Sequence, residues 1–145
     1  MSYDKIDWHS HGEGFPKNAK SEQGGTHIGM FLTWVIDNDL ISKLFRDLAQ
    51  KSIKKVKNRE LTGRDFLIEF CDSKFYNEVV NKEGNDFIEY YYDKEEDENY
   101  FGDYVKVFDE YDNIYDVENS WENYYKIKPV IDMRYQEWKN GKSKY

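Results

Sequence analysis

Hydrophobic positions along this chain recur mainly at helical spacing. Ile28, Phe31, Leu32 and Val35 follow an i, i+3, i+4, i+7 pattern, and Thr26 stands where an N-cap is expected. Asp37-Asn38-Asp39 interrupts the run. A second stripe follows, made of Ile41, Leu44, Phe45, Leu48, Ser52, Ile53 and Val56. The connection is so short that the two helices are expected to pack as an antiparallel pair. Thr62, with Asp65 three residues on, has the spacing of a capping box, although Asp is shorter than the preferred Glu or Gln. It opens a helix carrying Phe66, Leu67 and Phe70.

Residues 77–80 read as a short helix that Gly84 stops, with Asn85 placed to cap the run 87–92. Three consecutive tyrosines leave a strand open there. Phe101, Tyr104, Val105 and Phe108 return to helical spacing, and Asp112-Asn113 reads as a turn. Ser120 then caps a final segment with Trp121, Tyr124, Tyr125, Ile131, Tyr135 and Trp138 on roughly one face. Pro129 inside it predicts a kink or two shorter helices. Before Thr26, Gly12, Gly14, Pro16, Gly24 and Gly25 read as an irregular arm. The pattern predicts an all-α protein: a single domain over 1–145, with an irregular arm over 1–25, a body of six or seven helices over 26–139, and a tail over 140–145. No repeat or internal boundary interrupts it.

Composition decides whether so polar a chain folds. Its 145 residues suit one domain. A mean hydropathy of −0.98 is also reached by disordered chains. Four Trp, 13 Tyr and nine Phe make a compact core possible, since a large aromatic buries roughly 150–250 Å². No apolar run approaches the roughly 20 residues of a membrane span, and the N-terminus lacks the apolar centre of a secretory signal. The one cysteine, Cys71, follows the apolar run 66–70 and reads as a buried small hydrophobe rather than a reactive thiol. Cytoplasmic residence is expected. A net charge of −8 opposes a nucleic-acid binder driven by bulk positive charge. No membrane partner, nucleic-acid partner or cofactor is expected, and the oligomeric state is left open.

Trp8-His9, Gly24-Gly25-Thr26-His27-Ile28-Gly29-Met30-Phe31, Cys71-Asp72-Ser73-Lys74-Phe75, Trp121-Glu122-Asn123-Tyr124 and Glu137-Trp138-Lys139 together resemble an uncharacterised family of small bacterial proteins. The block around Thr26 to Phe31 is the most specific part. The resemblance implies a bacterial source and a stand-alone domain. It brings no activity or catalytic residue with it.

Charge is unevenly distributed. Residues 83–122 hold 15 Asp or Glu against Lys94 and Lys106 alone. Residues 42–64 hold eight Lys or Arg against Asp47 and Glu60. The acidic stretch is also rich in tyrosine. Acids steer a basic partner over long range, and tyrosines supply rigid contact area at interfaces. Two readings are open. In one, the stretch is a solvated face whose carboxylates pair with the basic segment 42–64. In the other, it is a docking face built from Tyr100, Asp103, Tyr104, Asp109, Glu110, Tyr111, Asp112, Tyr115 and Asp116. The second leads to a non-catalytic binding protein. Its model is an intracellular immunity or antitoxin-like inhibitor of a basic toxin such as a nuclease, which must itself attract phosphate. A DNA mimic is a variant of the same idea.

The alternative is a small metal-dependent enzyme. All three histidines fall early, at His9, His11 and His27. In an extended arm His9 and His11 would point the same way and reach one ion, with His27 and a carboxylate from Asp4, Asp7 or Glu13 nearby. Structural histidines explain the same residues. Gly24-Gly25-Thr26 before a helix has the ingredients of an anion cradle, but it lacks the Gly-Lys-Ser/Thr of a P-loop and a preceding strand, and reads as a flexible entry turn. No serine lies in a nucleophile elbow. Glu118, Glu122, Asp132 and Glu137 are candidates for a carboxylate pair, while Trp34, Trp121 and Trp138 read as core.

Overall fold

Helix α2 (Thr26–Asp37) is buried on every side from Thr26 to Ile36, so it is the axis on which the other elements pack. The amphipathic stripe read from its sequence is only part of its apolar surface: Met30, Trp34 and Ile36 complete a helix without a solvent face. Its polar residues are satisfied internally, as where the Thr33 hydroxyl donates to the Gly29 carbonyl at 2.7 Å. This computed structural model describes residues 1–95 and 98–142. Glu96 and Asp97 of the acidic stretch, and residues 143–145 of the expected tail, lie outside the described residues.

Eight α-helices are present among the described residues, with one small sheet, in accord with the all-α expectation. In chain order they are α1 (Ile6–Ser10), α2, α3 (Lys43–Leu48), α4 (Gln50–Lys57), α5 (Gly63–Phe70), α6 (Lys82–Tyr91), α7 (Tyr100–Val107) and α8 (Trp121–Lys142). Strand β1 (Ser2–Lys5) pairs antiparallel with β2 (Lys74–Tyr76). Among the described residues no helix is long and apolar enough to cross a membrane.

Helix α5 lies closest against α2, and glycines set that approach. A Cβ on Gly29 would fall 2.6 Å from the Arg64 Cα, and one on Gly63 would fall 2.9 Å from the Gly29 carbonyl carbon. Phe31, also on α2, packs its ring against Phe75, Phe87, Tyr91, Tyr92 and Tyr100, which ties β2, α6 and α7 to the axis.

Several local expectations hold. The Thr62 hydroxyl accepts from the Asp65 N–H to start α5, and the Ser120 hydroxyl accepts from the Asn123 N–H to start α8. Residues 77–79 form a 3-10 turn. Cys71 ends α5, 1 % exposed, and burial pushes its thiol up to about 12.

Others are corrected. The arm over 1–25 is irregular only between α1 and a 3-10 turn at Ser21–Gly25, because Tyr3 and Ile6 are drawn into the core. Thr26 is not a cap: the 3-10 turn runs directly into α2, and its hydroxyl accepts from Arg64 instead. Asn81, not Asn85, caps α6, with Gly84 inside that helix. Tyr90 and Tyr91 are helical rather than extended and Tyr92 is the C-cap, because α6 buries Phe87, Ile88 and Tyr91 at helical spacing. The second stripe breaks at Ala49 into α3 and α4, leaving Leu44 and Leu48 exposed. Pro129 sits inside one continuous helix α8, which also absorbs the start of the expected tail.

Substituting Gly29→Ala forces a Cβ into the Arg64 backbone and is expected to lower unfolding free energy by about 1–3 kcal/mol, read as a reduced urea midpoint.

Candidate functional site

The described residues contain one cluster of three metal-type ligands, made by Asp4, His9 and His27, with one donor atom from each lying within 4.8 Å of the others. Its geometry begins with a backbone irregularity. Strand alternation would bury only one of two adjacent residues. A register shift between Ser2 and Asp4 in the β1–β2 pairing breaks that alternation, and both Tyr3 and Asp4 are buried. Helix α1 then places His9 three residues after the buried Ile6, on the same face. His27 is the second residue of α2 and is buried.

The Asp4 carboxylate gathers four donors. Oδ1 accepts from the Lys5 backbone N–H at 2.9 Å and lies 2.8 Å from His9 Nε2. Oδ2 accepts from the Tyr92 hydroxyl at 2.6 Å and lies 3.2 Å from His27 Nε2. An ionised carboxylate only accepts, so both imidazoles carry their proton on Nε2 in this arrangement. His9 Nδ1 is then free to accept from the Tyr115 hydroxyl, 2.6 Å away. The two imidazoles meet edge to face at 4.4 Å, and Phe101 closes over both rings. Tyr100 donates to the His27 carbonyl at 2.6 Å and stacks on Tyr92.

Burial opposes the charge on Asp4, but the hydrogen bonds from His27 and His9 outweigh it and hold the carboxyl well below the usual carboxylate range. Burial pushes His27 down despite the pull of Asp4, so its imidazole is neutral. Burial, reinforced by the Asp4 charge, pushes the Tyr92 and Tyr115 hydroxyls up.

Of the expected metal set, His9 and His27 converge and His11 does not. His9 and His11 lie at the end of a helix rather than in an extended arm, and His11 is exposed. Two residues apart on a helix is about 200° of rotation, so the side chains diverge. Asp4 joins the histidines, while Asp7 and Glu13 are exposed.

The expected docking residues divide into two groups. Tyr100 and Tyr104 are in the core at 0 % and 1 % exposure, and neither offers a ring to the surface. Asp103 is buried, held by Arg134 Nε at 2.9 Å and Nη2 at 3.1 Å, and accepts from Tyr91. Helix α7 turns these three residues inward because they belong to its apolar face. Tyr111 and Tyr115 are half-buried, against Phe108 and His9 respectively. Asp109, Glu110, Asp112 and Asp116 are exposed, and their side chains make no ion pair or hydrogen bond among the described residues.

The basic segment does not neutralise those four. Lys57 pairs with Asp39, Arg59 with Asp37 and Arg64 with Glu22. Nor do the late carboxylates form a pair: Asp132 accepts from Trp34 and Lys128, and Glu137 from Arg134. Gly24 and Gly25 pack tightly on α1 rather than framing an anion, since a Cβ on Gly25 would fall 2.6 Å from Ile6 Cδ1. Trp34 is core, and Trp121 packs under the Arg59 guanidinium at 4.7 Å.

Residues 2–117 match the family described as a domain of unknown function, DUF7832, and the chain belongs to that family. The matched region contains the whole Asp4–His9–His27 cluster and the loop carrying Asp109 to Asp116, and leaves α8 outside. No curated protein and no solved structure matches the chain.

Asp4→Asn, in chelator-treated protein at neutral pH, is expected to lose about 1–3 kcal/mol, because it sets an amide N–H₂ against donors that need an acceptor. With its folded pKa depressed, Asp4 stabilises fully above the unfolded carboxyl range, near pH 4, and progressively less as pH falls towards the folded value. The gap between wild type and variant should therefore close in acid. Neutral His27 adds loss in the same direction from about pH 6.5 downward, where the unfolded chain binds a proton that the native state excludes. Urea unfolding across that range checks both.

Proposed function

We propose that this chain is a non-catalytic binding protein that neutralises a basic protein partner inside the cell, as an immunity or antitoxin-like protein does against a toxin such as a nuclease. The observation that carries the reading is that Asp109, Glu110, Asp112 and Asp116 are exposed and unpaired among the described residues. Of the eight cations on 42–64, Lys57, Arg59 and Arg64 pair with acids elsewhere in the sequence, and none of the eight pairs with this loop among the described residues. The negative field of this loop is thus left for something outside the molecule.

The loop is also held in shape. The Asn113 side chain donates to the Gly14 carbonyl at 2.9 Å and accepts from the Tyr115 N–H. Gln23 donates to the Tyr115 carbonyl at 3.0 Å, and Val117 is buried. Carboxylates on an anchored loop lose less freedom on binding than those on a mobile one. The surface differs from the one expected from sequence. Tyr100 and Tyr104 are core residues, and only the exposed parts of Tyr111 and Tyr115 border the acids. A nuclease presents cationic groups for phosphate, so four carboxylates on a fixed loop compete for the same field.

The test is calorimetric titration against the purified product of the gene adjoining this one, at low and moderate salt. Replacing Asp109, Glu110 and Asp112 together by Lys is expected to weaken binding at least 100-fold and to flatten its salt dependence, with the circular dichroism spectrum unchanged. Each carboxylate desolvated at the interface contributes about 2–5 kcal/mol on truncation. Equal affinity of wild type and triple variant, or no binding by wild type, overturns the proposal.

A further inference from the structure

We propose that Asp4, His9 and His27 bind a divalent transition-metal ion of the zinc class, which fastens the N-terminal β1–α1 segment to α2. The inference does not depend on the inhibitor reading, since the acidic loop contributes no ligand. Both imidazoles direct Nε2 at the same carboxylate, at 2.8 Å and 3.2 Å. Ligands about 2.0–2.1 Å from a tetrahedral zinc ion lie about 3.3 Å apart. The two imidazole–carboxylate distances are already near that value, and all three donor atoms lie within 4.8 Å of one another, so one cation can replace the two bridging protons with the donors closing in by at most about 1.5 Å. The donor set, two imidazoles and one carboxylate, suits zinc rather than calcium or magnesium, which prefer oxygen alone.

Charge points the same way. Asp4 is buried and meets no lysine or arginine among the described residues; the basic side chains that reach it are the two histidines. A carboxylate in that position lacks a permanent cation, which a metal ion supplies. The outer groups of a metal site are also in place. Tyr115 oxygen sits on His9 Nδ1 and would accept its N–H once Nε2 is ligated, while Tyr92 and the Lys5 N–H orient the carboxylate. Phe101 and Tyr104 wall off His27, whose side chain is 3 % exposed, whereas that of His9 is 18 % exposed. An ion therefore approaches past His9, and solvent completes the coordination from that side.

The test uses the full chain without a histidine tag, stripped with chelator and titrated with Co²⁺, then with competing Zn²⁺. The expected result is one equivalent of Co²⁺ with a visible d–d absorption band that Zn²⁺ abolishes, and a rise in Tm with either ion. Imidazole NMR of the wild type should shift His9 and His27 and leave His11 in place, which needs no variant to fold. His9→Gln should weaken Co²⁺ at least 100-fold, His11→Gln should leave it unchanged, and Tyr115→Phe should weaken it about 10-fold. No band and no Tm shift in the wild type overturns the proposal. So does a metal response that moves His11 alone, or one that survives equally in His9→Gln and His11→Gln.

Discussion

The carboxylate of Asp4 is the point at which five separately folded pieces of this chain are held together. Its own strand, α1 through His9, α2 through His27 and the end of α6 through Tyr92 all meet it directly. The turn carrying Tyr115 joins through His9. An ion in a water-poor interior is costly unless its lone pairs are met, and four donors meet them here. That requirement constrains the rest. The irregularity in β1, the start of α2 against α1 and the packing of Phe101 over the two imidazoles are the local structures that bring those donors within reach.

Aromatic side chains do in this protein what aliphatic ones do in most cores. The Tyr-rich stretch after residue 83 is largely interior, and three of its hydroxyls are spent on buried acceptors: Tyr91 on Asp103, Tyr92 on Asp4, Tyr100 on the His27 carbonyl. A phenol fills a large volume and still satisfies a polar group. This explains how a chain with a mean hydropathy of −0.98 builds a core. It also separates two properties that stood together in the sequence. Tyr91, Tyr100 and Tyr104 went inward, and the carboxylates between Asp109 and Asp116 remained outside.

Two regions of different character result. The Asp4 cluster is buried, satisfied and near-closed, with His9 as its edge towards solvent. The acidic loop is open and unpaired, but anchored through Asn113, Gln23 and Val117. Tyr115 belongs to both, bonded to His9 by its hydroxyl and lying within the loop.

Local pattern alone specifies the helical class, the caps at Thr62 and Ser120, the buried thiol, the helix over 28–35 and the asymmetry of charge. Each depends on neighbours within a few positions, where spacing and residue type are enough. It brought His9 and His27 under suspicion, but paired them with His11 on the premise of an extended arm, and one turn of helix at Ile6–Ser10 reversed that geometry. It could not rank Asp4 above Asp7 and Glu13, because the bulge that turns Asp4 inward exists only when β1 meets a strand 70 residues away. Nor could it say which tyrosines face water. Tyr100 and Tyr104 read as interface residues by composition, yet α7 docks on the face that carries them. Which acid meets which base was likewise settled by packing. Arg59 and Lys57 found Asp37 and Asp39 across a fold contact, and the loop from Asp109 to Asp116 was left without a cation among the described residues.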